Sequence, residues 1–308
     1  MKKIASIDIG SNSILLLIGE VDKENILVLE NEANVTGLGR DLDKNGEFLL
    51  ESMNDSFNVL SSYVDLCIKH HINPCDVVVT ATEATRVANN APDFIAKVNN
   101  ELGLNITVLT GEGEAYYSTA GILFDSQIQD EQISIMDIGG ASTELIKVDT
   151  KTKKILHSFS MPIGAVRWNN WKSSGVLDEK LSEIFDNYSE SLEKVHTSKL
   201  YCVAGTMTSV GSIYLGHKDF KEKDVNGLEF KIESLKDLHE RHMDKTVEEM
   251  LIIYPFLGKR SQTIHSGIDL AMAIMEKVGN NQIYISTYGL RYGTLLLGEI
   301  KDEFIINR

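Results

Sequence analysis

Asp8 closes an apolar run and is followed by Ile9-Gly10-Ser11-Asn12-Ser13. Asp137 does the same in the second half of the chain, followed by Ile138-Gly139-Gly140-Ala141-Ser142-Thr143-Glu144. Each copy reads as a strand ending in a carboxylate, a tight Gly/Ser turn and a second apolar strand. Glycine lets the backbone approach a ligand closely, and Ser, Thr and Asn add small donors. The expected chemistry is phosphate binding, by Gly10, Ser11, Asn12 and Ser13 in one turn and by Gly139, Gly140, Ala141, Ser142 and Thr143 in the other. A carboxylate buried at a strand end is costly unless it is paired or metal-linked. Asp137 and Glu144, joined by Asp8, therefore read as hard oxygen ligands for Mg²⁺, held partly through water, with Mn²⁺ as a substitute. Two such turns facing each other across a cleft would grip a phosphate chain and its metal ion.

Four further segments could contribute. Thr110-Gly111-Glu112-Gly113-Glu114-Ala115 follows a strand and opens a helix. Either glutamate could accept a proton from an attacking water, or could simply favour the helix macrodipole. Ala81-Thr82-Glu83-Ala84-Thr85-Arg86 follows another strand, and an Arg held there can fork two hydrogen bonds onto a phosphate. Val203-Ala204-Gly205-Thr206 is a third candidate phosphate turn, using Gly205 and Thr206. Tyr288-Gly289-Leu290-Arg291-Tyr292-Gly293 reads equally well as a helix N-terminus.

Composition narrows the field. With 308 residues and 43% hydrophobic content, the chain has room for two domains with full cores. A net charge of −15 disfavours nucleic acid and means that an anionic substrate needs local cations. No apolar run is long enough to span a bilayer, and the N-terminus lacks an export pattern, so a cytoplasmic protein is expected. Cys67, Cys75 and Cys202 form no CxxC pair, and the 8 His show no HExxH spacing, which argues against a zinc site. No GxSxG elbow and no GxxxxGK[ST] loop is present.

These residues must be carried by two similar units. Ile4–Ile9, Ile14–Glu20 and Asn25–Glu30 read as hairpin-connected strands, followed by an amphipathic helix within Gly46–His71, a strand at Asp76–Thr80, a helix at Ala91–Leu102, a strand at Ile106–Leu109 and a helix at Glu112–Leu123. The pattern restarts with strands Ile133–Asp137, Thr143–Val148 and Lys154–Met161. A helix over Leu177–Val195, a strand at Leu200–Ala204 and a strand at Leu228–Lys231 follow. Then come helices at Ser234–Met243 and Ser266–Val278, a strand at Gln282–Ser286 and a final helix at Leu290–Glu299. Antiparallel strands followed by βα units imply mixed sheets with helices on their faces. The boundary is expected near Phe124–Glu131, giving domains 1–125 and 126–297.

In order and spacing, these motifs resemble the exopolyphosphatase / guanosine pentaphosphate phosphohydrolase (Ppx/GppA) family of the actin-like ATPase superfamily. Asp8–Ser13, Ala81–Arg86, Thr110–Ala115, Asp137–Glu144, Pro162–Arg167 and Gly289–Gly293 carry the resemblance, with Asn226-Gly227 and Lys259-Arg260 at similar family segments. It implies an α/β fold of two actin-like (ribonuclease H-like) domains, each with a mixed five-stranded sheet flanked by helices and with the active cleft between them, and a final segment, Leu290–Arg308, that returns to pack on the first domain through a C-terminal helix at about 298–308. It implies Glu114 as the catalytic glutamate, Arg86 as a second catalytic residue that assists in holding substrate oxygens, and Arg260 among the phosphate ligands. A Mg²⁺-dependent release of the terminal phosphate of polyphosphate or pppGpp follows, in a cytoplasmic homodimer with no nucleic-acid or membrane partner. The chain departs from the family pattern at Ala141, Ala204 and Tyr116, where Gly, Gly and often Arg stand. These departures motivate an alternative, a catalytically weak alarmone- or nucleotide-binding regulator. A kinase of the same superfamily fits less well, because the Glu114 segment suits activated water.

Overall fold

The computed structural model describes residues 2–22, 25–125 and 128–306. The chain falls into two units, Met1–Phe124 with Tyr288–Arg308, and Asp125–Thr287. Ser126 and Gln127, where the boundary is read from the sequence, lie outside the described residues.

The first unit is built on a five-stranded sheet, with strands β1 (Lys2–Ile9), β2 (Ser13–Val21), β3 (Ile26–Val35), β4 (Val78–Ala81) and β5 (Ile106–Val108). Their order is β3-β2-β1-β4-β5, with β1–β2 and β2–β3 antiparallel and β1–β4 and β4–β5 parallel. Side chains alternate between the faces of a strand. Ala5, Ile7 and Ile9 therefore join Ile14, Leu16 and Ile18 in a core with Leu60, Tyr63, Val64 and Cys67 of the Leu50–Lys69 helix. Ile4, Leu17 and Val21 point the other way, onto Tyr292 and Leu295 of the Leu290–Leu297 helix. Without that returning helix the second face of the sheet would lie bare. This is why the unit includes the chain from Tyr288. Ser6 and Thr294 hydrogen-bond at 2.6 Å on the same face.

The second unit repeats the plan with β6 (Gln132–Ile138), β7 (Thr143–Asp149), β8 (Lys154–Met161), β9 (Leu200–Val203), β10 (Glu229–Lys231) and β11 (Gln282–Ile285). The order is β10-β11-β9-β6-β7-β8, with β6–β9 and β9–β11 parallel. Its sheet has six strands where five were expected, because the short β10 adds antiparallel to the edge of β11. Two other local readings change. The apolar stripe over Leu177–Val195 is two helices, Leu177–Asn187 and Ser189–Val195, broken at Tyr188. Ala204 ends no strand but opens a helix, Ala204–Tyr214. Among the described residues no helix is long and apolar enough to cross a membrane.

Candidate active site

The two Asp-Ile-Gly segments fold into the same turn. Ile9 pairs with Ile14 and Ile138 with Thr143, so each hairpin is closed by a four-residue loop. In both, the glycine amide donates to the carbonyl three residues on: Gly10 to Ser13 and Gly139 to Ser142, each at 3.0 Å. In both, the chain leaving the third strand returns to brace the loop. The amides of Thr36 and Gly37 donate to the Asn12 carbonyl, and Gly39 donates to Ser11 at 2.7 Å. In the second unit Ala165 donates to Gly139, while Val166 and Arg167 donate to Gly140. A trans peptide sets C=O and the following N–H on opposite sides. Anchoring these carbonyls therefore turns the amides of Asn12 and Ser13, and of Gly140 and Ala141, away from the brace. The helix Ala165–Ser174 spends its own N-terminal amides on the loop, which leaves the amides of the loop itself as the candidate donors.

Each brace carries a glycine that packs on the loop. A Cβ on Gly39 would meet Ser11, and one on Gly164 would meet the Gly139 and Gly140 backbone. Thr143 Oγ1 adds a 2.6 Å bond to the Ile163 carbonyl. The Pro162–Arg167 motif is thus a support for the turn, a role that only the fold discloses. Arg167 Nη1 also donates to the Ala141 carbonyl at 2.9 Å.

Because β1, β4 and β5 are parallel neighbours, the segments following them emerge at one edge of the first sheet. That edge is where open α/β sheets bind ligands. β1 leads into the Gly10 turn, β4 into the Glu83–Val87 helix and β5 into the Gly111–Ile122 helix. Thr110 caps the last of these, its Oγ1 accepting from Gly113 at 3.0 Å. Glu112 in the first turn is exposed. Glu114 is buried and forms a short ion pair with Arg86 Nη1, which also donates to the Leu109 carbonyl at 2.8 Å. Glu83 Oε2 takes the other edge of the guanidinium, from Nη2 at 2.9 Å and Nε at 3.3 Å. Burial works against the charge on Arg86, but Glu114 and Glu83 outweigh it and hold the guanidinium above its already high ordinary pKa. Arg86 was expected to fork onto phosphate. Here its fork is taken by Glu83, a residue the sequence reading passed over; its spacing of three from Arg86 on a short helix was the available signal.

In the second unit, Asp137 and Glu144 are direct cross-strand partners on β6 and β7. Their side chains therefore share one face of the sheet, about 4.5–5.5 Å apart at Cβ. Ser160 donates to Glu144 at 2.7 Å. Two carboxylates so placed suit Mg²⁺, which takes one or two protein carboxylates and completes its shell with water and phosphate oxygens. Among the described residues no group of three or more His, Cys, Asp or Glu forms a closed metal cage. Asp8 lies on β1 of the first unit, opposite Leu15 and beside Thr80.

β9 runs into Ala204-Gly205-Thr206, and a Cβ on Gly205 would lie 2.5 Å from Arg260 Nη2. The guanidinium thus rests on the Gly205 backbone, which brings three of the expected phosphate residues, Gly205, Thr206 and Arg260, into one neighbourhood. Ala204 has φ 66°, the left-handed region. Ala141 is not among the described residues with positive φ, so its methyl adds no backbone strain. Tyr116 packs at a tilt against Phe304 with centroids 4.9 Å apart, and Lys301 Nζ lies 4.3 Å from the Tyr116 ring centroid. The Gly289–Gly293 motif is a helix crossing, where Gly121 meets Gly289 and Gly293 meets Tyr117 by backbone contact. Asn226 accepts from the Thr287 amide at 3.0 Å and donates to Asp125 at 3.3 Å, tying together both ends of the second unit.

The architecture matches solved structures over nearly its whole length. An exopolyphosphatase from Cytophaga hutchinsonii has a TM-score of 0.82 at 22% identity, covering 96% of this chain and 98% of that one. A Ppx/GppA family member from Aquifex aeolicus has a TM-score of 0.74 at 24% identity, covering 96% of each chain. The fold class is accordingly the actin-like one, two mixed sheets flanked by helices. Residues 17–301 match the Ppx/GppA phosphatase family, and the chain belongs to it. Among curated relatives, the bifunctional 3-dehydroquinate synthase/phosphatase of Fusobacterium nucleatum is 29% identical over 96% of this chain. The guanosine-5'-triphosphate,3'-diphosphate pyrophosphatase of Aliivibrio fischeri is 26% identical over 99%. This chain spans 46% of the former's length and 61% of the latter's. Exopolyphosphatase 2 of Mycobacterium tuberculosis is 25% identical, with 96% of this chain and 98% of that protein covered.

Proposed function

We propose that the chain is a phosphohydrolase releasing the terminal phosphate of inorganic polyphosphate or of pppGpp, with Glu114 as general base. The observation that carries this reading is the buried Glu114–Arg86 pair at the carboxyl edge of β1, β4 and β5. An adjacent guanidinium fixes the direction of the carboxylate, which a base for water needs. The braced turns hold phosphate oxygens through their outward amides, with Gly205, Thr206 and Arg260 adding donors. Asp137 and Glu144, with Asp8, would hold a divalent cation, whose chemistry when bound is to neutralise charge on the phosphates. Glu114 takes the proton of a water aligned with the terminal phosphorus, so that catalysis consists of positioning and charge compensation. The names of the relatives support the substrate class. The reading includes a cytoplasmic homodimer that engages neither nucleic acid nor membrane.

A second reading, a nucleotide- or alarmone-binding regulator, is favoured by one observation: Arg86 is already engaged by two carboxylates. One experiment separates the two. Phosphate release from polyphosphate, pppGpp and ATP is measured with and without Mg²⁺ for the wild type and for Glu114→Gln. General-base loss is expected to lower kcat by about 10²–10⁴-fold with substrate binding retained. Near-wild-type release by Glu114→Gln rejects the base. Tight pppGpp binding without release by the wild type favours the regulator.

A further inference from the structure

Glu83 has no part in the chemistry described so far, yet it accepts from two nitrogens of Arg86. A guanidinium has five N–H donors in one plane. Nε and Nη2 both converge on Glu83 Oε2, at 3.3 and 2.9 Å. Nη1 serves Leu109 and Glu114. Two contacts to one oxygen hold that edge of the rigid planar group on Glu83. With that edge on Glu83, Nη1 faces the Leu109 carbonyl and Glu114. The three side chains are largely buried, with Arg86 13%, Glu83 20% and Glu114 9% exposed, so water does little to loosen the arrangement. Glu83 also fills the Nε/Nη2 edge that a phosphate would use for a two-toothed contact. Arg86 is thereby committed to the carboxylate and withheld from the substrate.

We infer that Glu83 is a positioning residue that acts through Arg86 to aim Glu114. The inference rests on the proposed role of Glu114. Glu83 gives up no proton and touches no substrate atom. It holds the cation that holds the base. Removing it leaves Arg86 free to swing toward substrate phosphate, so turnover falls while substrate affinity is kept or improved.

The test is steady-state phosphate release from inorganic polyphosphate with Mg²⁺, comparing wild type, Glu83→Ala, Glu83→Gln and Glu114→Gln. Glu83→Ala is expected to lose about tenfold in kcat with KM unchanged or lower. Glu83→Gln, whose amide oxygen still accepts from Nε and Nη2, is expected to recover kcat to within about threefold of wild type. If Glu83→Ala does not fold, Glu83→Asp takes its place. It keeps the charge but is one methylene too short to hold both donors, and the same kcat loss is expected. A kcat loss under threefold, a loss confined to a raised KM, or no recovery in Glu83→Gln overturns the inference. Glu114→Gln tells the two failures apart. If it is inactive while Glu83→Ala turns over normally, only the positioning role falls; if it is active, the functional reading falls.

Discussion

Replacing Gly164 by alanine separates support of the phosphate turn from backbone conformation. Gly164 sits at φ −139°, ψ −179°, extended backbone that any residue adopts. The penalty is therefore one of space alone. An added Cβ would lie 2.5 Å from the Gly140 carbonyl carbon and 2.6 Å from the Gly139 and Gly140 oxygens. These are backbone atoms, which cannot rotate away as a side chain would. Overpacking of this kind costs about 1–3 kcal/mol. Pushing the turn outward also weakens the amide bonds from Ala165, Val166 and Arg167, each worth about 0.5–1.5 kcal/mol. The stiffer unfolded chain returns about 0.4–1 kcal/mol. The net expectation is a loss of about 2–4 kcal/mol. Gly39→Ala is the matched control in the first unit. There a Cβ would meet Ser11 Cβ at 3.1 Å, Ala84 Cβ at 3.2 Å and the Ser11 carbonyl oxygen at 3.3 Å, contacts relieved by a few tenths of an ångström. Its cost is expected to stay within about 1 kcal/mol. Urea unfolding gives the stabilities, and phosphate release gives the functional reading. A turn displaced by an ångström should lower Gly164→Ala turnover by about 10²-fold. Wild-type unfolding and turnover in Gly164→Ala, or a larger loss in Gly39→Ala, would refute the idea of a braced turn.

Two other predictions concern stability. Ala204 at φ 66° carries a left-handed backbone costing about 1–2 kcal/mol, and glycine there adds about 0.5–1 kcal/mol of unfolded-state entropy. Ala204→Gly should therefore stabilise the chain by about 0.5–1 kcal/mol, seen as a higher urea midpoint; a lower midpoint contradicts the strain. Burial pushes the Cys67 thiol up to about 11 and Cys202 higher still, whereas Cys75 is exposed. An unfolded thiol ionises near 8.5, so the unfolded chain releases its protons first as pH rises. Stability from the two buried thiols is then complete below that value and lost progressively above it, through the folded pKa of Cys67. Denaturant titrations from pH 7 to 10 should show the decline. A thiol reagent at neutral pH should label Cys75 alone in the native protein.

The duplicated Asp-Ile-Gly segments were legible because each couples a β-period apolar run to a turn only Gly, Ser and Asn favour. That local signal brought out the antiparallel start of each sheet. Glu114 was legible as a carboxylate at a helix start, but so was Glu112. Nothing in the spacing says that one is exposed and the other buried against Arg86. The helix Ala204–Tyr214 was hidden behind a Gly/Thr-rich segment that reads as a loop. The sixth strand, β10, was visible as three apolar-polar residues whose place at the β11 edge no local pattern encodes.

Local preferences therefore determined the elements, the paired turns and the residue types able to hold phosphate and a hard cation. The parallel order of β1, β4 and β5 decided which of those residues share an edge, since parallel pairing joins segments far apart in sequence. Packing decided the rest. Glu83 took the fork of Arg86, and the returning Leu290–Leu297 helix covered the face of the first sheet that Ile4 and Leu17 leave apolar. Burial and hydrogen-bond direction are properties of the neighbours a residue meets, and those neighbours are chosen only when the chain folds.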